Sequence, residues 1–397
     1  MPNVSTRGQS MPSSPIRKLV PYAEGAKERG THVFHLNIGQ PDIETPKEAL
    51  DAVRNIDFKV LAYSHSAGHL SYREKLVSYY ARFNAKLNSD QIIVTTGGSE
   101  AILFAMMSCL DPDDEIIIPE PFYANYNGYA VSSLAKVVPI TSKIENGFKL
   151  PPIEDFEDKI TAKTKAIMIC NPNNPTGYLY SEEEMNQLKD ICLEHDLFLL
   201  SDEAYREFSY ENNAAFSALQ LEGMDEHVIV MDTISKRFSA CGARIGAIVS
   251  KNKKVMDSAM KMAQARLSPP SLAQIVGEAA LDVPSSYFDE VKAEYKKRRD
   301  VLVNRLQKME GVSVANPGGA FYAIAQLPVD DTETFCQWLL ESFNHNGKTI
   351  MMAPAAGFYA TKGLGLKEVR FAYVLNENDI NEAMDCLEAG LKEYTNA

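Results

Sequence analysis

The sequence predicts an α/β protein: a three-layer arrangement with a mainly parallel sheet between helices, joined to a smaller α+β domain. Three observations predict it. Short apolar runs suited to strands alternate with longer segments of helical spacing, and each run ends in a polar or glycine-containing turn. After about residue 285 the texture changes to long, charged helical segments.

The strand-like runs are Ile92 to Val94, Glu115 to Ile118, Ala166 to Cys170, Leu197 to Leu200, Val228 to Met231 and Ile245 to Val249. Their apolar residues are consecutive, which suits strands buried on both faces of a parallel sheet. Between the third and fourth runs, Ser181 caps a helix and Glu184 completes a capping box. Met185, Leu188, Ile191 and Cys192 then share the face that covers the sheet. The later spacing predicts a helix from Ser286 to Met309, whose run Lys296-Lys297-Arg298-Arg299 reads as a solvated face. A turn at Asn316-Pro317-Gly318-Gly319 follows, then two or three strands with helices, and a final helix from Glu377 to Tyr394.

Composition narrows the function. With 397 residues, 45% of them hydrophobic, the chain is long enough for two domains. Its 40 Lys and Arg against 53 Asp and Glu give a net charge of −13. That balance argues against a nucleic-acid binder and against a polybasic membrane-surface protein, since both need a surplus of cations. Cys109, Cys170, Cys192, Cys241, Cys336 and Cys386 lie far apart, with no CxxC pair and no Cys/His spacing for zinc, so no metal is expected. They read as buried thiols of a reducing compartment. Residues Met1 to Pro15 lack the apolar core of a signal peptide, and Ala101 to Leu110 is too short to span a bilayer. A soluble cytoplasmic protein is expected.

The chemistry gathers where open α/β sheets bind ligands, at the carboxyl ends of the strands. After the first run, Thr95-Thr96-Gly97-Gly98-Ser99 opens a helix and offers free N–H groups to an anion, although such a pair of glycines is more often a plain tight turn. Asn171-Pro172-Asn173-Asn174-Pro175-Thr176-Gly177 is a stiff loop bearing amides. Ser201-Asp202-Glu203-Ala204-Tyr205 ends a strand in a carboxylate and a phenol; alone, Asp202 reads equally well as a helix cap. Thr233-Ile234-Ser235-Lys236-Arg237-Phe238 adds an amine, with Gly242 and Arg244 beyond it. Together these supply an amine, a carboxylate, a phenol, an amide, an arginine and a phosphate cradle, the set that pyridoxal phosphate requires.

On these motifs the sequence resembles the class I aminotransferases of the fold type I pyridoxal-phosphate enzymes, most of all the aspartate aminotransferases. The resemblance runs from Asn37-Ile38-Gly39-Gln40-Pro41-Asp42 to Arg370, through NPNNPTG, SDEAY and SKRFSACGARIG. It implies a large cofactor domain over residues 46–285 and a small domain from 1–45 plus 286–397. It implies that Lys236 holds pyridoxal 5'-phosphate as an imine and serves as the base, that Asp202 pairs with the pyridine nitrogen, and that Tyr205 and Asn174 donate to the ring oxygen. Gly97, Gly98, Ser99, Ser235 and Arg244 would hold the phosphate. Tyr123 would stack on the ring, where many relatives carry tryptophan. Tyr63 would reach the phosphate in a neighbouring subunit, making a homodimer with shared sites.

Arg370 would clamp the substrate α-carboxylate with Gly39 and Asn174, a task for which a planar guanidinium is suited. Arg266 would bind the side-chain carboxylate of an acidic substrate, although its spacing to Pro269 and Pro270 departs from the family pattern. The resemblance therefore implies ping-pong transfer of an amino group between aspartate and 2-oxoglutarate. Alternatives are alanine, aromatic or broad specificity, carbon-sulfur elimination, or aminocyclopropane formation on the same fold. A transcriptional regulator carrying such a domain is not expected, because the roughly 30 residues before the first motif are too few for a DNA-binding module. A nucleotide-binding protein is disfavoured by the absence of GxGxxG and of a P-loop lysine.

Overall fold

A computed structural model describes residues 2–211 and 215–395. In chain order its strands are β1 (His32–His35), β2 (Ile92–Thr95), β3 (Glu115–Glu120), β4 (Lys136–Thr141), β5 (Thr164–Cys170), β6 (Phe198–Asp202) and β7 (Val228–Thr233). They continue with β8 (Gly246–Val249), β9 (Ser313–Val314), β10 (Tyr322–Gln326), β11 (Lys348–Met351), β12 (Ala353–Pro354) and β13 (Glu368–Ala372).

The large sheet has the order β2-β8-β7-β6-β5-β3-β4. Only β8 runs antiparallel to its neighbours, β2 and β7. Every expected run forms a strand of this sheet, and β6 extends far enough that Asp202 is its last residue. The sequence reading missed β4. It is a half-exposed edge strand with Pro139 inside it, and an edge is where a sheet tolerates a residue with no N–H to donate.

Side chains alternate across the sheet and divide its core in two. Met168, Cys170, Leu200, Ile229 and Met231 face one apolar cluster, whereas Ile167, Ile169, Leu199, Val228 and Val230 face the other. The second cluster is closed by the helix Glu182–Glu194, which begins as expected. Ser181 Oγ accepts from Glu184 N at 3.1 Å, Glu184 Oε2 accepts from Ser181 N at 2.8 Å, and Met185, Leu188, Ile191 and Cys192 are buried.

The C-terminal part carries more strands than the sequence suggested. A second sheet has the order β12-β13-β10-β9, and β1 pairs in parallel with β11, so an N-terminal segment joins the C-terminal part. The short strands β9 and β12 offer too few residues for a periodic signal. The helices Ser285–Leu306 and Glu377–Thr395 fall where expected. The basic run is corrected: Arg298 and Arg299 are buried, Arg298 pairing with Asp42 at 2.5 Å and Arg299 with Glu211 at 2.9 Å. With Tyr295, Leu302 and Leu306 they share the inward helix face, so four adjacent cations do not form one solvated surface.

Candidate active site

A cavity of about 480 Å³ opens at the carboxyl ends of the large sheet. Its walls include Gly98 and Ser99 after β2, Asn174 after β5, Asp202 and Tyr205 at the end of β6, Ser235 and Lys236 after β7, and Arg244. From the chain ends come Gly39, Tyr322 and Arg370. Residues from distant parts of the sequence thus converge on one space.

Asp202 lies at the bottom. Its Oδ2 accepts from the Tyr126 hydroxyl at 2.7 Å, and its Oδ1 from Ala204 N at 3.2 Å. Among the described residues no side-chain cation pairs with it. Burial pushes its pKa up to about 6, against the lowering effect of those two donors. The carboxylate is therefore set to gain from a cationic partner.

Opposite, Lys236 Nζ donates to Gly39 O at 2.6 Å. Tyr205 is buried, which pushes its phenol well above the ordinary range and keeps it a hydrogen-bond donor. Its hydroxyl meets that of Tyr322 at 3.0 Å and receives a long contact from Asn174 Nδ2 at 3.4 Å. Asn174 Oδ1 accepts from Arg370 Nη1 at 3.0 Å, and Arg370 Nη2 donates to Asn37 O at 2.5 Å. Arg370 is fully buried at the middle of β13, and its Nε has no partner. Burial lowers its pKa, so an arriving carboxylate would meet a cation poorly neutralised by protein.

The third corner is built to receive an anion. The helix Gly97–Cys109 starts here, directing its free N–H groups and positive end toward the cavity. Gly97 sits behind the lining at φ +74°, and a Cβ there would come within 2.4 Å of Arg244 Nη2, so a side chain would displace the guanidinium. The Ser235 hydroxyl lies 2.8 Å from that of Thr233, and Tyr129 lines the cavity with Ser99. Tyr123 lines the cavity edge-on to Tyr126 at 5.5 Å, its hydroxyl accepting from Asn125 Nδ2 at 2.7 Å.

Besides Gly97, two expected residues lie outside this space. Arg266 Nη1 pairs with Glu100 Oε2 at 2.7 Å, and its Nη2 donates to Ser66 O at 2.9 Å. It ties the start of the anion-binding helix to the preceding loop, and with a carboxylate already in place it has no call for a substrate's. Tyr63 is 80% exposed and does not reach the cavity of its own chain. Sequence reasoning missed Tyr126, Tyr129, Thr233 and Tyr322. Tyr126 and Tyr129 stand three residues apart on the helix Asn125–Ser132, a spacing that places both on one face.

The profile of the family described as aminotransferase class I and II matches residues 31–386. An aspartate aminotransferase of Pyrococcus horikoshii is 32% identical over 96% of this chain and 95% of that protein. Among solved structures, an aspartate aminotransferase of Thermotoga maritima superposes with a TM-score of 0.89 at 28% identity, covering 98% of this chain and 100% of that one. An alanine aminotransferase of Pyrococcus furiosus gives 0.89 at 30% identity, with the same coverage. With its fold, its cavity and nearly its whole length in agreement, the chain belongs to the class I and II aminotransferases, a family dependent on pyridoxal 5'-phosphate.

Proposed function

We propose that this enzyme moves an amino group between L-aspartate and 2-oxoglutarate in two half-reactions at this cavity. The observation that carries the reading is the convergence of Lys236, Asp202, Arg244 and Arg370 on one space. The names of relatives favour aspartate as donor, with alanine the next candidate. The cavity residues fit pyridoxal phosphate: Asp202 is buried without a cation, and the corner at Gly97 and Arg244 excludes a side chain while offering N–H groups and a guanidinium.

When bound, the cofactor would supply an electron-withdrawing ring that loosens the hydrogen on the substrate Cα. Asp202 holds a proton on the ring nitrogen, which keeps that withdrawal strong. Tyr205 and Asn174 would donate to the ring oxygen, and Tyr123, which lines the cavity, would hold the ring. Gly97, Gly98, Ser99, Ser235 and Arg244 hold the phosphate. Arg370, with Gly39 and Asn174, would fix the α-carboxylate, so that the Cα hydrogen is presented to Lys236 Nζ, which would move that proton between the substrate Cα and the cofactor C4′, in one direction in each half-reaction.

The active form is a homodimer with shared sites. Phe58, Val60, Leu61 and Tyr63 form an exposed apolar segment, 51%, 77%, 59% and 80% accessible, of the kind a partner covers, and Tyr63 would reach from it to the phosphate of the partner's site. Residues 46–285 act as the cofactor domain and residues 1–45 plus 286–397 as the small domain. The free thiols suit the cytoplasm, and among the described residues no helix is long and apolar enough to cross a membrane.

The test adds single amino acids, with 2-oxoglutarate, to protein supplied with pyridoxal phosphate. Matched amounts of oxo acid and new amino acid are expected, with aspartate the best donor; oxo acid plus ammonia would mean elimination instead. Lys236→Ala should abolish turnover, and full turnover in that variant would overturn the mechanism.

A further inference from the structure

We propose that Arg17, on the N-terminal arm, recognises the side-chain carboxylate of an acidic substrate, a role that the pairing of Arg266 with Glu100 leaves open. The inference rests on the reading of the cavity as an aminotransferase site.

The charges of the cavity carry it. Its lining holds Arg17, Lys236, Arg244 and Arg370 as cations, and Asp202 as the one carboxylate. In the proposed function, Lys236 serves the substrate amine, Arg244 the phosphate and Arg370 the α-carboxylate, while Asp202 answers the ring nitrogen. One cation remains. Among the described residues the Arg17 side chain has no ion pair or hydrogen bond, so its donors are available to a ligand.

The arm holds Arg17 at this position through its neighbours. Leu19 is buried, and Arg17 N donates to Ser14 O at 3.2 Å. Pro15 packs so closely on Gly357 that a Cβ there would meet it at 2.3 Å. Ile16 packs on the cluster of Ala124, Ala353, Ala355 and Phe358, and Phe358 lies 4.8 Å from the Arg370 guanidinium. The arm therefore enters the cavity beside the α-carboxylate clamp. A substrate held there by Arg370 presents its other end to the arm, and a guanidinium fork binds a second carboxylate in two-point fashion.

The test uses the protein loaded with pyridoxal phosphate and compares it with Arg17→Gln and Arg17→Glu. Succinate and butyrate, which differ in the second carboxylate, are titrated calorimetrically. The kcat/KM ratio for aspartate over alanine is measured in parallel. Succinate is expected to bind at least about tenfold tighter than butyrate, and Arg17→Gln to erase most of that preference and to lower the kinetic ratio roughly tenfold or more. Arg17→Glu should reverse the order of the two ligands, which a purely structural role would not do. Preference for succinate retained in both variants would overturn the proposal and assign the carboxylate to another cation, from Arg266 or from a second copy. A parent enzyme that transaminates alanine but shows no preference for succinate would overturn it too, with the aminotransferase reading intact. A parent enzyme that transaminates no amino acid would instead sink that underlying reading, and this proposal with it.

Discussion

Two aspartates stand at the carboxyl ends of neighbouring parallel strands, Asp202 last on β6 and Asp232 next to last on β7, and they have opposite fates. Strand alternation turns Asp202 toward the cavity, and Asp232 toward the other face. Each accepts a tyrosine hydroxyl at 2.7 Å, from Tyr126 and Tyr80 respectively. Asp232 is also met by Arg237 at 2.6 Å and Arg206 at 3.4 Å, and Arg206 is tied in turn to Glu203. Burial opposes both charges, but the two guanidiniums hold Asp232 down to about 2, whereas Asp202 rises to about 6. Consecutive residues make the same division, since Lys236 faces the cavity and Arg237 the buried network. A buried charge already answered by protein serves the fold; one left unanswered serves a ligand.

The largest expected effect is that of Asp202→Asn on turnover, a loss on the order of 10⁴-fold, about 5.5 kcal/mol, as the ring nitrogen loses its acid partner. The cofactor-free variant should at the same time be more stable than the parent at neutral pH. The folded pKa of Asp202, about 6, exceeds its ordinary value of 3.8. The folded state therefore holds the proton more tightly, and stability falls as pH rises from about 4 to 6, by up to about 3 kcal/mol. Thermal melts across that range should show the two proteins diverging. Parallel curves would erase the distinction drawn between the two aspartates.

Asp232→Ala should act the other way, lowering stability by about 3 to 4 kcal/mol near neutral pH, because Arg237 would be left buried without its carboxylate. The folded pKa of Asp232 is depressed, so its contribution is present above 3.8 and lost as pH falls toward about 2. Denaturant titrations at pH 7 and pH 3 test this. A variant as stable as the parent at pH 7 would show that the network is dispensable.

What was legible in the sequence follows the same division. Strands buried on both faces announce themselves by consecutive apolar residues, and the strand-end residues by chemistry unusual for a turn. The half-exposed β4 with Pro139, and the brief β9 and β12, carry no such signal. Tyr322 sits among apolar neighbours and reads as core, whereas Tyr126 lies between Asn125 and Asn127 and reads as part of a polar helix surface. Arg266 misled because its partner Glu100 is 166 positions away, and only the fold brings the two together. Arg298 and Arg299 misled likewise, since Asp42 and Glu211 are remote from them. Residue type and spacing reveal which groups can react; which charges are already spent is a property of the tertiary structure.

The smallest expected effect separates the regions most cleanly, because the same deletion is made in each. Tyr80→Phe removes one donor from Asp232, but both guanidiniums remain, so the carboxylate stays ionised. The loss is about 1 kcal/mol and nearly constant between pH 5 and 8. Tyr126→Phe removes the first of the two hydrogen bonds that lower the Asp202 pKa, and only Ala204 N–H remains. The Asp202 titration should therefore move above about 6, and the pH-dependent part of the cofactor-free stability should move with it. Loading the cofactor should cancel most of that displacement, since a protonated ring nitrogen supplies the missing partner. Melts of both variants, with and without pyridoxal phosphate, test this. A cofactor-sensitive displacement in Tyr80→Phe, or none in Tyr126→Phe, would show that the two carboxylates do not differ in the way their surroundings dictate.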